Sequence, residues 1–531
     1  MHDLVLLDGT LVDGTGSPRR RADIAIDAGR IVEVGMLRSS RARRVLNLDG
    51  RTVVPGFIDL HTHAEFTIFA HPDASSMLRQ GVTTLVVGNC GFSAFPITER
   101  NWELMRDFTA FFGPALQREW HTPAVFFKAL SGLKLQCNVA VLVGHGTVRA
   151  AVMGFEDRHA TEAEIESMSR HVELALASGV FGMSSGLVYP PGCYADRQEL
   201  NTLCSVVSKH GGFYATHVRN EADGAEEAIA EAIDTARATN VKLQLSHHKV
   251  PGKNNHGKVL GTLAQVDSAL NDGLDVIADA YPYTATSTTL ASLLPKWAMD
   301  GGVTSMHDRL VDVESRQRIR AEILSAAKRE GSTMRPFDAE AIIIGSVAQP
   351  EHRRFEGLSL AEIGQAEGRA PVDVALDLLA DEGGAVQMVV FSLAEDDVRA
   401  VLRHPAVAVA SDGWTLHPDE GGFPHPRSYG TFAKVIRQYV VQERLLSLEE
   451  AVYKMSGLPA RRLGLADRGT IHPGNAADIV TFRPEAVTDW ATFKMPHQFA
   501  TGIDHVLVNG VLAIDQGEIS EVGPGRVLRR S

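Results

Sequence analysis

The sequence predicts an α/β fold: a (β/α)8 TIM barrel with a small β-sandwich domain built from both chain ends and an inserted subdomain. Three observations lead there. The middle of the chain alternates apolar strands with amphipathic helices, the rhythm of parallel βα units. Both ends instead carry short alternating segments broken by Gly and Asp, the texture of a small antiparallel sheet. The strand candidates in the middle number eight, and nearly all stop at a residue able to ligate a cation or move a proton.

Size and composition admit this architecture. At 531 residues the chain exceeds one ordinary domain, and 44% hydrophobic with 22% charged residues is close to the globular average. The net charge of -13, with both signs interspersed, disfavours nucleic acid or an anionic membrane as a partner. An anionic ligand would need local cations. The start "MHDLVLLDGTLVDGTG" lacks the basic and apolar parts of a signal peptide, and no apolar run reaches the roughly 18 residues of a membrane span, so a cytoplasmic location is expected. Cys90, Cys137, Cys193 and Cys204 are too few for a disulfide framework in so long a chain, which leaves each as core filler or ligand.

In chain order, "ADIAIDAGRIVEVG" belongs to the first β-rich end, residues 1–54. "GTIHPGNAADIVTF" and "HVLVNGVLAIDQGEI", with Asn-Gly and Gln-Gly turns, belong to the second, residues 470–531. Between them, residues 55–469 hold the barrel. "TEAEIESMSRHVELALASG" illustrates its helices: Thr161 and Glu164 can form a capping box, Ile165, Met168, Val172 and Ala175 share a face, and Gly179 can end it. The eight strand candidates are "GFIDLHTH", "TTLVVGNC", "NVAVLVGHG", "VFGMSSGL", "FYATHVR", "KLQLSHHK", "DVIADAYPY" and "VAVASDG". The βα rhythm lapses at about 288–345, with a charged helical stretch near Arg316 to Lys328, and an inserted subdomain is expected there. "AIIIGSV" and "MVVFSL" are further strand candidates, either of which would shift the count by one.

The exits of the strands carry the chemistry: His61 and His63, Cys90, His145, Ser184 and Ser185, His217, His247, Asp279 with Tyr281, and Asp412. In a parallel barrel these ends open onto one face, where barrel enzymes place their catalytic groups. Residues two apart on a strand point the same way, so His61 and His63 can converge on one point. Imidazole, thiolate and carboxylate together suit zinc. Cys90, His217 and His247 could bind one ion, with His61, His63 and Asp412 near it or around a weaker second ion. Singly, each is better read as a core cysteine, a satisfied strand-end histidine or a turn-capping aspartate. Their convergence on one face favours the metal site. Asp412 is then the candidate general base, able to take a proton from a metal-acidified water and return it to a leaving group. His248, facing away by strand alternation, stands outside the set.

These motifs resemble the amidohydrolase superfamily, and more closely its D-aminoacylase (N-acyl-D-amino-acid deacylase) branch. The resemblance runs through "PGFIDLHTH", "QGVTTLVVGNCG", "GHGTVR", "GLVYPPG", "YATHVRNE", "LQLSHHK", "YPYTATST", "ASDG", "HPRSYGTF", "DRGTIHPGNAADIVTF" and "VLVNG". It implies a zinc-bearing barrel that hydrolyses the amide of a small N-acyl-D-amino acid. It also implies Cys90, His217 and His247 as the tight site, with His61, His63 and Asp412 at a weaker position. Lys249, Tyr281, Ser287 and Arg427 match positions that bind the substrate carboxylate in such enzymes. Most of the superfamily bridges two metals with a carbamylated lysine, and "MSSGL" supplies none at the fourth strand's exit. Two departures stand out: Ala64 and Glu65 follow the H-x-H where relatives often carry an aspartate, and "WTLHPDEGGF" lengthens the stretch before Arg427. Tyr189 and Cys193, in "GLVYPPGCY", are weaker candidates for the pocket lining. The rival readings are a cyclic-amide hydrolase of hydantoinase or dihydroorotase type, which would use that lysine, and a non-catalytic zinc-binding barrel.

Overall fold

A computed structural model describes residues 1–37, 41–112, 116–326 and 337–530. The chain opens with strands β1 (His2–Leu11), β2 (Arg20–Asp27), β3 (Arg30–Gly35), β4 (Ala42–Asn47) and β5 (Thr52–Pro55). Next come β6 (Phe57–Asp59), β7 (Val82–Val87), β8 (Asn138–Val141), β9 (Val143–Gly144), β10 (Gly182–Gly186), β11 (Phe213–His217), β12 (Lys242–Leu245) and β13 (Val276–Ala280). They are followed by β14 (Ala285–Thr289), β15 (Ile342–Ser346), β16 (Gln387–Phe391) and β17 (Val407–Val409). The chain closes with β18 (Ile479–Phe482), β19 (Ile503–Val508), β20 (Val511–Asp515) and β21 (Glu518–Ile519).

The eight segments read as strands in the sequence all form strands, and all pair in parallel. One sheet runs β6-β7-β8, another β17-β13-β12-β11-β10-β9. Only Leu142 separates β8 from β9, so the chain itself joins the two sheets. At the other end a parallel bridge pairs Thr62 with Gly413, and Asp412 N–H donates to His61 O at 2.8 Å, stitching the exit of β6 to that of β17. Ile58, Val86, Ala140, Phe181, Phe213, Ile277 and Ala408, one or more from each of seven strand segments, pack in one buried cluster with Leu458, Ala460 and Leu463. Strands buried on both faces need such near-continuous apolar runs.

The helix Glu162–Ala177 forms as its sequence requires. Thr161 and Glu164 make the capping box, Ile165, Met168, Val172 and Ala175 are buried, and Gly179 adopts φ +98° just past the end.

Both chain ends build one nine-stranded sheet, β21-β20-β19-β18-β5-β1-β2-β3, with β4 also on β1. Its core includes Leu4, Leu6, Ile24, Ile26, Val53, Ile479 and Leu507. The expectation of an antiparallel sheet holds for most pairs but fails at β1, which pairs in parallel with β4 and with β5. β4 lies on the edge of β1 opposite β2, so it is no hairpin partner of β3, and a parallel pair with β1 follows from such a crossover order.

"AIIIGSV" and "MVVFSL" become β15 and β16, which sit outside the parallel set in an antiparallel sheet ordered β14-β16-β15. The segments outside the parallel set therefore run from Ala285 to Phe391, beyond the 288–345 anticipated for an insert. Helices Val303–Val311 and Val313–Ala326 lie within it, whereas residues 327–336, including Lys328 of the expected charged helix, lie outside the described residues. Among the described residues no helix is long and apolar enough to cross a membrane.

Candidate active site

The site is assembled just past the strand ends. His61 stands two residues beyond β6, Cys90 three beyond β7, His217 ends β11, His247 stands two beyond β12, and Asp412 three beyond β17. Three of them are left-handed: Cys90 (φ +51°), His247 (φ +36°) and Asp412 (φ +53°). Non-glycine residues seldom adopt this region, and each instance costs on the order of 1 kcal/mol, so the surroundings must impose it. The bond from Asp412 N–H to His61 O helps to do so at one position, and at another His247 N–H donates to Asp279 Oδ1 at 2.8 Å. Gly186 allows the close approach at the third. A Cβ there would lie 2.2 Å from Cys90 O, so no side chain fits beside that loop.

The side chains converge as anticipated. Cys90 Sγ lies 3.3 Å from His247 Nε2, 3.8 Å from His217 Nδ1 and 3.3 Å from His61 Nε2. Asp412 Oδ1 lies 3.4 Å from His61 Nε2 and 3.2 Å from His63 Nε2. The groups Cys90/His61/His247 and His61/His63/Asp412 are each compact enough to hold a metal ion, and all of these residues are buried. A tetrahedral zinc with Zn–S of about 2.3 Å and Zn–N of about 2.0–2.1 Å separates sulfur from nitrogen by about 3.6 Å. The spacings of Cys90 to His217 and to His247 bracket that distance, and thiolate with imidazole is the donor chemistry zinc takes.

Electrostatics agree with a thiolate and a carboxylate. Burial pushes the Cys90 thiol up, but His61 and His247 beside it outweigh burial and hold it well below the usual thiol range. Burial likewise pushes Asp412 up, and Arg427, His247 and His61 hold it well below the carboxylate range.

Lys249, Tyr281, Ser287 and Arg427 line one cleft together with His63, Cys90, His217, His247 and Asp412. Lys249 Nζ and the Arg427 guanidinium lie 5.7 and 5.1 Å from the centre of the Tyr281 ring. Both cations also meet carboxylates of the site: Arg427 Nη1 is 2.7 Å from Asp412 Oδ2, and Lys249 Nζ is 2.5 Å from Glu221 Oε1. Phe92, Phe111, Tyr189 and Trp414 add aromatic surface to the cleft, and Tyr189 bonds through its hydroxyl to Thr288 Oγ1 at 2.8 Å.

Some anticipated residues lie elsewhere. Cys193 is buried in the turn Gly192–Tyr194, apart from the cleft lining. His145 turns to Glu199, 2.7 Å from its Nε2, while His248, expected to face away, meets Thr262 Oγ1 at 2.9 Å. Others were given no specific role from the sequence. Glu221 reaches His217 and His247, Asp279 Oδ1 lies 3.2 Å from His61 Nδ1, and the buried Glu65 lies 3.7 Å from His63 Nδ1. Glu65 thus takes a place beside the H-x-H that the departure after His63 had left open. The available signal for Glu221 was its position four residues after His217, and for Asp279 its place at the end of β13.

Residues 44–514 match the amidohydrolase family. Over 99% of this chain and 96% of its partner, the sequence is 37% identical to an N-acyl-D-glutamate deacylase of Alcaligenes xylosoxydans xylosoxydans. The fold is similar to the crystal structure of N-acyl-D-glutamate deacylase from Bordetella bronchiseptica, complexed with zinc and a phosphonate mimic of the tetrahedral intermediate, with TM-score 0.84, 34% identity and 99% of each chain covered. It is similar also to a D-aminoacylase structure concerned with a binuclear centre, one-metal activation and second-metal attenuation, with TM-score 0.85, 35% identity and 100% of each chain covered.

Proposed function

The chain belongs to the amidohydrolase family, and from that premise we propose that it is a zinc-dependent hydrolase of N-acyl-D-amino acids, releasing a carboxylate and a free D-amino acid. The observation that carries this reading is the convergence of Cys90, His217 and His247 beside Asp412 in a cleft that also holds Lys249 and Arg427. Cys90, His217 and His247 would hold the tight ion, and His61, His63 and Asp412 a weaker one. Zinc bound there supplies a Lewis acid for the acyl carbonyl and brings the pKa of water down to about 7. Asp412 accepts the proton of the attacking water through a carboxylate oxygen and passes it to the departing amide nitrogen. Lys249, Tyr281, Ser287 and Arg427 hold the substrate carboxylate, the guanidinium offering a fork that a single ammonium cannot.

The parallel pairings and the Thr62–Gly413 bridge support a closed (β/α)8 barrel as the scaffold. The sheet drawn from both chain ends is read as the β-sandwich domain, with the β14-β16-β15 sheet as part of an insert. The exit of β10 presents Ser184 and Ser185 where a cyclic-amide hydrolase of this superfamily would place its bridging lysine, which argues against that alternative.

The test is release of free amine from a panel of N-acetyl-D- and N-acetyl-L-amino acids, with and without chelator. Chelator-sensitive release from the D-series supports the reading. No release from any member, with zinc bound, would return the chain to the non-catalytic alternative.

A further inference from the structure

Glu221 is buried four residues beyond His217, and its carboxylate touches three functional groups. Oε2 lies 3.4 Å from His217 Nε2, and Oε1 lies 3.0 Å from His247 Nδ1 and 2.5 Å from Lys249 Nζ. The two imidazoles stand nearly perpendicular, 82° apart with ring centres at 4.4 Å, and each turns its other nitrogen to Cys90 Sγ. A neutral imidazole that binds a metal through one nitrogen carries its proton on the other, and an acceptor at that second nitrogen fixes the tautomer and the ring's direction. One carboxylate stands behind both rings here, Oε2 facing His217 Nε2 at ion-pair distance and Oε1 sharing His247 Nδ1 with Lys249 Nζ, which lies 2.7 Å from that nitrogen.

We infer that Glu221 is a positioning residue that orients both imidazoles of the tight zinc site and at the same time restrains Lys249, joining metal binding to carboxylate recognition. The inference rests on the zinc-dependent hydrolase reading above. Lys249 also donates to His247 O at 2.9 Å and lies 2.7 Å from His247 Nδ1, so its ammonium is held at the metal side of the cleft by a carboxylate, a carbonyl and the imidazole itself. A substrate carboxylate must draw part of that cation's charge away from Glu221. Removing the negative charge of Glu221 should therefore act in opposite directions on the two ligands: zinc loses its oriented donors, while the substrate carboxylate gains an ammonium with no competing anion.

The test uses Glu221→Gln in the full chain. Zinc affinity is measured by competition with a chromogenic chelator, and KM and kcat with an N-acetyl-D-amino acid at saturating zinc. Zinc affinity is expected to fall roughly 10- to 100-fold, as when a carboxylate behind a metal-bound histidine is lost, while KM falls several-fold. A purely structural role would weaken both together. Unchanged zinc affinity, or a KM that rises, overturns the inference. Should Glu221→Gln fail to fold, Glu221→Asp withdraws the same charge by one methylene and is expected to bind zinc more weakly; wild-type affinity in that variant overturns the inference equally. A wild-type protein that binds no zinc would instead overturn the hydrolase reading itself.

Discussion

Arg427 Nη1 lies 2.7 Å from Asp412 Oδ2, while Oδ1 of the same carboxylate faces His61 and His63. One oxygen of Asp412 is thus held by a guanidinium and the other is turned to these two histidines. Arg427 can keep this contact and still offer its remaining N–H donors to a substrate carboxylate, because its fork carries several. Lysine has no such geometry. In Arg427→Lys, loss of a charge-assisted hydrogen bond worth about 1.5–3 kcal/mol raises KM for an N-acetyl-D-amino acid roughly 10- to 100-fold. Steady-state kinetics check this, and an unchanged KM contradicts the assignment.

Asp412→Asn keeps the shape of the side chain and removes the base. Loss of general acid–base assistance lowers kcat by roughly 10²–10⁴, and the tight zinc, proposed to sit on Cys90, His217 and His247, is expected to stay bound. Kinetics and metal analysis on one sample separate the two effects. Wild-type turnover would remove Asp412 from its role.

Gly186 is where β10 passes the Cys90 loop. In Gly186→Ala the new methyl meets the Cys90 carbonyl at 2.2 Å, and backbone must move. Such overpacking costs about 1–3 kcal/mol in stability, and zinc affinity falls with it because the displaced residue carries the sulfur. Denaturant unfolding and zinc competition test the pair of effects, and an unchanged zinc affinity would detach Gly186 from the site.

Lys454 lies buried with its ammonium bonded to the carbonyls of His404 and Val407, at the entry to β17. Burial pulls its pKa from 10.5 down to about 8. The folded state therefore resists the charged form. That penalty is full below pH 8, where folded and unfolded chains are both protonated, and it disappears above the unfolded value of 10.5. The gap corresponds to about 3 kcal/mol. Compared with Lys454→Met, the wild type should gain up to that amount of stability between pH 8 and 10.5, measured by urea unfolding. A pH-independent difference contradicts the account.

The strands and the polar residues at their exits were legible because both leave periodic marks: a buried parallel strand is an apolar run, and His61, Cys90, His217, His247 and Asp412 each interrupt one. The same logic misleads at His145, which also stands at a strand exit but turns to Glu199, whereas alternation set His248 apart and it meets Thr262. Side-chain direction past a strand end depends on irregular backbone such as the left-handed His247, and alternation does not predict that. Glu221 was illegible for a related reason: its distance from His217 in sequence says nothing of His247 and Lys249, which a different strand delivers. The parallel partners of β1 were hidden because short alternating strands carry no record of which edge they join.

The central claim is that Cys90 supplies sulfur to a tightly held zinc. X-ray absorption at the zinc edge, on protein loaded with one equivalent, addresses it directly. The account predicts one sulfur neighbour at about 2.3 Å beside nitrogen neighbours at about 2.0–2.1 Å, with the sulfur lost in Cys90→Ser. A zinc shell of nitrogen and oxygen alone, identical in wild type and Cys90→Ser, would contradict it.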